Sequence, residues 1–130
     1  MIMKILKTTP ILCVDQIERC LPFWTQNLGY TKTVEVPHND RIGFVILQKD
    51  GSEIMLQIID SIKDDVANIG KIIKTGDIML YSDVDSIAEL EKNLKGLEIV
   101  VPLRKTFYGA MEIFIRDSNG QIHGFAEHAK

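Results

Sequence analysis

Tyr108-Gly109-Ala110-Met111-Glu112-Ile113-Phe114-Ile115-Arg116-Asp117-Ser118-Asn119-Gly120-Gln121-Ile122-His123-Gly124-Phe125-Ala126-Glu127 reads as two strands joined by a turn. Apolar residues alternate on both sides, and Asp117-Ser118-Asn119-Gly120 collects residues that bond their own backbone or accept positive φ. An earlier segment repeats the pattern. Ile46 to Gln57 lays onto Ile115 to Ala126, with Gly51 on Gly120 and Leu56 on Phe125, at an offset of 69. Thr9 to Asp15 matches Asp77 to Asp83 at an offset of 68, and each run is followed by a helical pattern that ends in glycine, Gly29 or Gly96. The chain is therefore predicted to hold one strand-helix-strand-strand-strand unit twice.

The bounds of that duplication are a first module at about 5–59, a linker with a weak helical pattern at about 60–76 and a second module at about 77–128. A length of 130 residues with 45% hydrophobic content supports one compact domain shared by both copies. A net charge of −3 without a lysine or arginine cluster argues against nucleic acid as a partner. Met1 to Lys7 is too short and too broken by lysine for a signal peptide, and no apolar run approaches the roughly 18 residues of a membrane span. A cytoplasmic protein without a membrane partner is expected. Two cysteines, Cys13 in a strand and Cys20 in a helix, do not form a zinc or disulfide framework, so both are expected to pack.

Along the chain, Asp15 with Glu18 suggests a capping box for a first helix carrying Ile17, Cys20, Leu21, Trp24 and Leu28, with Pro22 bending it. Tyr30 to Val36 and Ile42 to Lys49 read as strands around a polar, mobile loop, Pro37-His38-Asn39-Asp40. Ser52 to Ile59 closes the first copy. Asp83 is expected to cap the second helix, whose apolar set is Val84, Ile87, Ala88, Leu90 and Leu94. Strands at Ile99 to Leu103, Met111 to Arg116 and Gln121 to Glu127 complete the second copy.

Two such modules, the Cys20-Leu21-Pro22-Phe23-Trp24 segment before Leu28-Gly29-Tyr30, and Tyr108-Gly109 leading to Arg116-Asp117-Ser118-Asn119-Gly120 resemble the vicinal oxygen chelate superfamily. This is the family of glyoxalase I, extradiol dioxygenases and bleomycin-resistance proteins. The resemblance implies an α+β fold, two tandem βαβββ modules forming curved mixed sheets around a cleft, in a homodimer. In metal-using members the ligands come from the start of the first strand and the middle of the last strand of each module, which fall here on Thr9, Met55, Asp77 and Gly124. Threonine, methionine and glycine do not supply a normal divalent-metal set, and His38, His123 and His128 do not replace them. No metal and no other cofactor is expected.

Strand alternation gives the cleft lining. Thr9, Cys13, Glu53, Met55 and Gln57 share one face in the first copy, and Asp77, Met79, Tyr81 and Gly124 share the corresponding face in the second. Glu112, Phe114 and Arg116 join them, with Tyr108 at the strand turn, while Met111, Ile113 and Ile115 should pack beneath the helices. An apolar, aromatic lining with a few charges suits reversible capture of an organic molecule rather than bond making. Resemblance to the metal-free bleomycin-resistance branch makes sequestration of a cationic glycopeptide antibiotic the most concrete version. The alternatives are a metal-dependent lyase, isomerase or dioxygenase with a site rearranged around Asp77, Glu53 or Glu112 with His38 from a partner subunit, and a regulatory module with a vestigial cleft.

Overall fold

The computed structural model describes residues 3–129, with strands β1 (Ile5–Val14), β2 (Thr31–His38), β3 (Arg41–Lys49), β4 (Ser52–Ile58), β5 (Ile78–Val84), β6 (Glu98–Lys105), β7 (Ala110–Arg116) and β8 (Ile122–His128). The helices are α1 (Ile17–Pro22), α2 (Ile59–Asp65), α3 (Ala67–Gly70) and α4 (Ile87–Lys92). The fold is α+β, and the order β-α-β-β-β occurs twice.

The chain divides into two compact units, Pro10–Ile78 and the residues up to Thr9 together with those from Met79 onward. β1 contributes to both. In the first unit the strand order is β2-β3-β4-β1, with β1 and β4 parallel and Ile11 opposite Met55. In the second it is β1-β5-β8-β7-β6, with β5 and β8 parallel and Tyr81 opposite Gly124. Met55 and Gly124 keep the offset of 69, but their partners Ile11 and Tyr81 differ by 70, two more than the sequence match of 68. A slip of two residues preserves the face of a strand, so the alternation survives while the pairing of Thr9 with Asp77 as equivalent positions does not.

In the first unit Ile17, Val45, Leu47, Leu56 and Ile58 form the core, with Leu12, Val14, Cys20, Trp24 and Ile54 packed against it. Pro22 acts as expected of a residue without a backbone donor. α1 stops there and the chain continues as a π-helical turn, Phe23–Asn27, closed by Leu28 N–H donating to the Phe23 carbonyl at 3.1 Å. The Thr25 hydroxyl donates to the Leu21 carbonyl at 2.9 Å.

Several local expectations are overturned. Asp15 does not cap α1. Gln16 occupies that position without a side-chain bond, and the Glu18 carboxylate instead accepts from Ile42 N–H at 2.9 Å. Asp83 does not cap α4, because β5 continues through Val84; Ser86 is the cap and accepts from Glu89 N–H at 3.2 Å. Pro37 and His38 belong to β2, leaving only Asn39 and Asp40 as the turn, with Asn39 at φ 57°. His38 is held there: its Nε2 lies 3.1 Å from Asp64, and a Cβ at Gly43 would fall 2.5 Å from His38 Cβ. By contrast, the weak helical pattern of the 60–76 stretch is matched by α2 and α3, which bury Ile62 and Ile69.

In the second unit, Val84, Ile87, Leu90, Leu94, Ile113 and Ile115 form the core beneath α4, with Met111 and Phe125 against it. Ile113 and Ile115 point to the helix side, so Glu112 and Phe114 point to the other. The final hairpin is as read from the sequence. β7 and β8 pair antiparallel, and Asp117 N–H donates to the Gln121 carbonyl at 3.0 Å.

Candidate functional site

Glu112 is the unusual residue of β7. It is a carboxylate with 1% of its surface exposed, standing between Ile113 and Met111 on a strand that is otherwise almost wholly apolar. A buried charge requires opposite charge and hydrogen bonds, and the structure supplies both. Arg104 on β6 donates from Nε and Nη2 to Oε1 at 3.1 and 2.7 Å. The hydroxyls of Tyr81 on β5 and Tyr108 in the β6–β7 turn both donate to Oε2. Their two oxygens stand 3.3 Å apart. Burial first, then the charge of Glu112, pushes the Tyr81 hydroxyl far above the ordinary phenol range, so it stays protonated.

The aromatic surroundings are fixed by a glycine. A Cβ on Gly124 would lie 2.5 Å from Phe114 Cε2 and 2.9 Å from Tyr81 Cδ1. Both rings therefore occupy the space a side chain would take, with centroids 6.2 Å apart. Beyond them the turn presents Phe107, 83% exposed, and Tyr108, 45% exposed, in an edge contact at 5.0 Å. The His128 ring lies 6.4 Å from that of Tyr108, and its Nε2 is 3.1 Å from Asp83. Gly109, at φ 85°, permits the turn; its N–H donates to the Thr106 carbonyl and its own carbonyl accepts from Ala129.

Of the residues expected in the lining, Tyr81, Tyr108, Glu112, Phe114 and Gly124 come together in this one cluster. Arg116 does not join them; its Nη1 lies 3.8 Å from Glu98 at the far end of the strand pair. Met79 and Thr9 are buried in the same unit. Cys13, Glu53, Met55, Gln57 and Asp77 belong to the first unit. There Glu53 accepts from Gln48 Nε2 at 2.7 Å and Gln57 donates to the Ser61 hydroxyl at 3.1 Å. Cys13 is bonded through its backbone to Asp77 and Gly76, and burial, aided by the charge of Asp77, pushes its thiol up to about 11.

Arg104 is the residue that sequence reasoning missed. The signal was present: a hairpin centred on Tyr108 places the residue four before it opposite the residue four after it, and Arg104 does face Glu112.

A family model described as the Glyoxalase/Bleomycin resistance protein/Dioxygenase superfamily matches residues 4–122. The chain belongs to this superfamily. No curated protein matches it. Among solved structures, a superfamily member from Vibrio splendidus 12B01 is 21% identical, covering 93% of this chain and 97% of its own, with a TM-score of 0.71. A methylmalonyl-CoA epimerase from Mycobacterium tuberculosis is 18% identical over 94% of this chain and 87% of its own, at 0.70. A Legionella pneumophila protein named NAD-dependent benzaldehyde dehydrogenase is 15% identical over 95% and 100%, also at 0.70. At these identities the likeness concerns the fold, and the different names show how little the fold fixes chemistry.

The residues that the resemblance aligns with the superfamily's metal ligands are Thr9, Met55, Asp77 and Gly124, a set with few donors for a divalent ion. Gly124 has no donor and its side-chain space is filled by rings. Asp77 precedes β5, and its carboxylate accepts from Lys74 N–H at 2.9 Å, closing a local turn. Met55 offers only a thioether, which suits soft metals and not the hard divalent ions of carboxylate sites. Among the described residues, no group of three or more His, Cys, Asp or Glu converges.

Proposed function

We propose that this superfamily member binds an organic molecule reversibly and without a metal, on the face of β5, β8 and β7 that carries Tyr81, Tyr108, Glu112 and Phe114. One observation carries the reading. The buried Glu112 has both oxygens occupied by Arg104 and the two tyrosines, so it is a structural anchor that holds a guanidinium and two phenols in fixed positions. Preorganised polar groups beside exposed aromatic surface are what a binding site needs. They do not form a nucleophile-base pair.

A cationic glycopeptide of the bleomycin type is the first ligand to try, and a homodimer in the cytosol is the setting this reading assumes. The net charge of −3 supports it. The rearranged-metal alternative is less favoured, because Glu112, Glu53 and His38 would each have to leave an existing partner. Isothermal calorimetry of the chelator-treated protein against metal-free bleomycin and related glycopeptides tests the proposal. Saturable heat that weakens at least ten-fold in Tyr108→Ala supports it, and no heat across the panel counts against it.

A further inference from the structure

Asn119 is followed by glycine, whereas Asn27, Asn39, Asn68 and Asn93 precede leucine, aspartate, isoleucine and leucine. The difference is chemical. The side-chain carbonyl carbon of an asparagine can close a five-membered ring with the backbone nitrogen of the next residue, and a side chain on that residue hinders the closure. Glycine has none. Asn119 and Gly120 are both exposed at the apex of the β7–β8 hairpin, and the nearest atom to a Cβ placed on Gly120 is Arg116 Nε, at 3.9 Å. Closure requires the Gly120 nitrogen to give up its proton, and a guanidinium nearby favours the anion that results.

The turn opposes this reaction. Gly120 N–H donates to the Asp117 carbonyl at 2.9 Å. On either side, Asn119 N–H and Gln121 N–H donate to Asp117 Oδ1 at 2.9 and 3.0 Å. His123 Nε2, 2.8 Å from Oδ2, holds that carboxylate in place. The nitrogen is free to attack only when the peptide leaves this clamp.

We propose that Asn119 is a site of spontaneous deamidation and that the Asp117 clamp sets its rate. The Gly120 nitrogen, having lost its proton, bonds to Asn119 Cγ; the Cγ–Nδ2 bond breaks, and ammonia leaves carrying a proton. Water then opens the cyclic imide at one carbonyl or the other. One opening gives aspartate. The other gives isoaspartate, in which the main chain runs through the former side chain and gains a carbon. Water is the only co-reactant, and nothing is oxidised or reduced. Either product sets a second carboxylate beside Asp117. The isoaspartyl form also lengthens the apex of the hairpin whose strands carry Glu112 and Gly124, and hairpin register depends on turn length. This inference stands apart from the binding reading, and neither needs the other.

The test incubates the full-length protein at pH 8, native and in guanidinium chloride, and follows each asparagine by peptide mass spectrometry. In the native protein, Asn119 should exchange its amide for a carboxylate, with isoaspartate present in the fragment spectra, while the other asparagines stay intact. In denaturant its rate should rise at least about five-fold, the factor that one net hydrogen bond contributes. Asp117→Ala, without denaturant, should rise by a similar factor, and Asn119→Gln, which would have to close a larger ring, should stay unmodified. An unchanged Asn119 in the native protein, over a period in which the denatured sample converts fully, overturns the site. Equal rates in native and denatured protein overturn the clamp, and this comparison does not depend on any variant folding. So does a wild-type rate in an Asp117→Ala protein that keeps its amide protection at Ile113 and Ile115.

Discussion

Arg104 and Glu112 stand opposite each other in the β6–β7 pairing, and the guanidinium places both Nε and Nη2 on a single carboxylate oxygen, at 3.1 and 2.7 Å. The carboxylate is 1% exposed and the arginine side chain 26%, so the pair is an internal one with an outlet at the cation's end. Removing one partner of such a pair leaves a charge without compensation, and that penalty exceeds the net worth of the pair.

Arg104→Met should therefore destabilise the protein by about 3 kcal/mol. Urea unfolding checks this. The double variant Arg104→Met with Glu112→Gln should recover at least half of the loss, because the stranded charge goes with it. Full additivity of the two single losses would mean that the pair is not coupled.

Gly124→Ala should cost about 1–3 kcal/mol, the usual range for overpacking. The new Cβ meets the ring of Phe114 at 2.5 Å and that of Tyr81 at 2.9 Å, so both must move. Adding Phe114→Leu to the alanine variant should restore part of the stability. A silent Gly124→Ala in thermal unfolding would show that the rings have room to yield.

The two thiols should differ in reactivity. Cys13 is 1% exposed and its thiol is pushed up to about 11, chiefly by burial. At pH 8 only about one molecule in a thousand carries the thiolate, which is the reactive form. Cys20, half-buried with its Sγ donating to the Gln16 carbonyl at 3.3 Å, is also raised by burial. Iodoacetamide at pH 8 should label Cys20 first and Cys13 only as the protein unfolds, read by peptide mass spectrometry.

Asp117 ties the last hairpin together. Its Oδ1 accepts from Asn119 and Gln121 N–H at 2.9 and 3.0 Å, and its Oδ2 lies 2.8 Å from His123 Nε2. The His123 bond first, then the Gln121 amide, holds the carboxyl below its ordinary value. A group lowered in the folded state contributes stability that is full above the ordinary carboxylate range and is lost as pH falls through the folded value. Amide protection of Asn119 and Gln121 should therefore be level above about pH 5 and fall in acid, and Asp117→Asn should abolish that acid-dependent step.

The parts legible in the sequence were those governed by local periodicity. Ile113 and Ile115 were separable from Glu112 and Phe114 because a strand alternates, and Asp117 to Gly120 named its own turn. Caps were less legible: Gln16 takes the position expected of Asp15, and Ser86 the one expected of Asp83. Which one caps depends on where the strand stops, and β5 stops only at Val84. The weak helical pattern of the 60–76 stretch corresponds to α2 and α3, which are short and are fixed by burial of Ile62 and Ile69. At the site, alternation gave Tyr81, Glu112 and Phe114 their common face. Arg104 was missed because the sequence reads as a strand ending at Leu103, whereas β6 runs to Lys105 and pairs Arg104 with Glu112.

Metal-independent capture of an organic molecule is tested most directly by native mass spectrometry of the protein incubated with metal-free bleomycin, with and without a chelator and with added divalent ions. The account predicts a saturable complex carrying one glycopeptide per subunit, present at the same level in chelator, and no stoichiometric ion on the protein alone. One tightly held divalent ion per subunit, whose removal by chelator also removes the organic adduct, would contradict it.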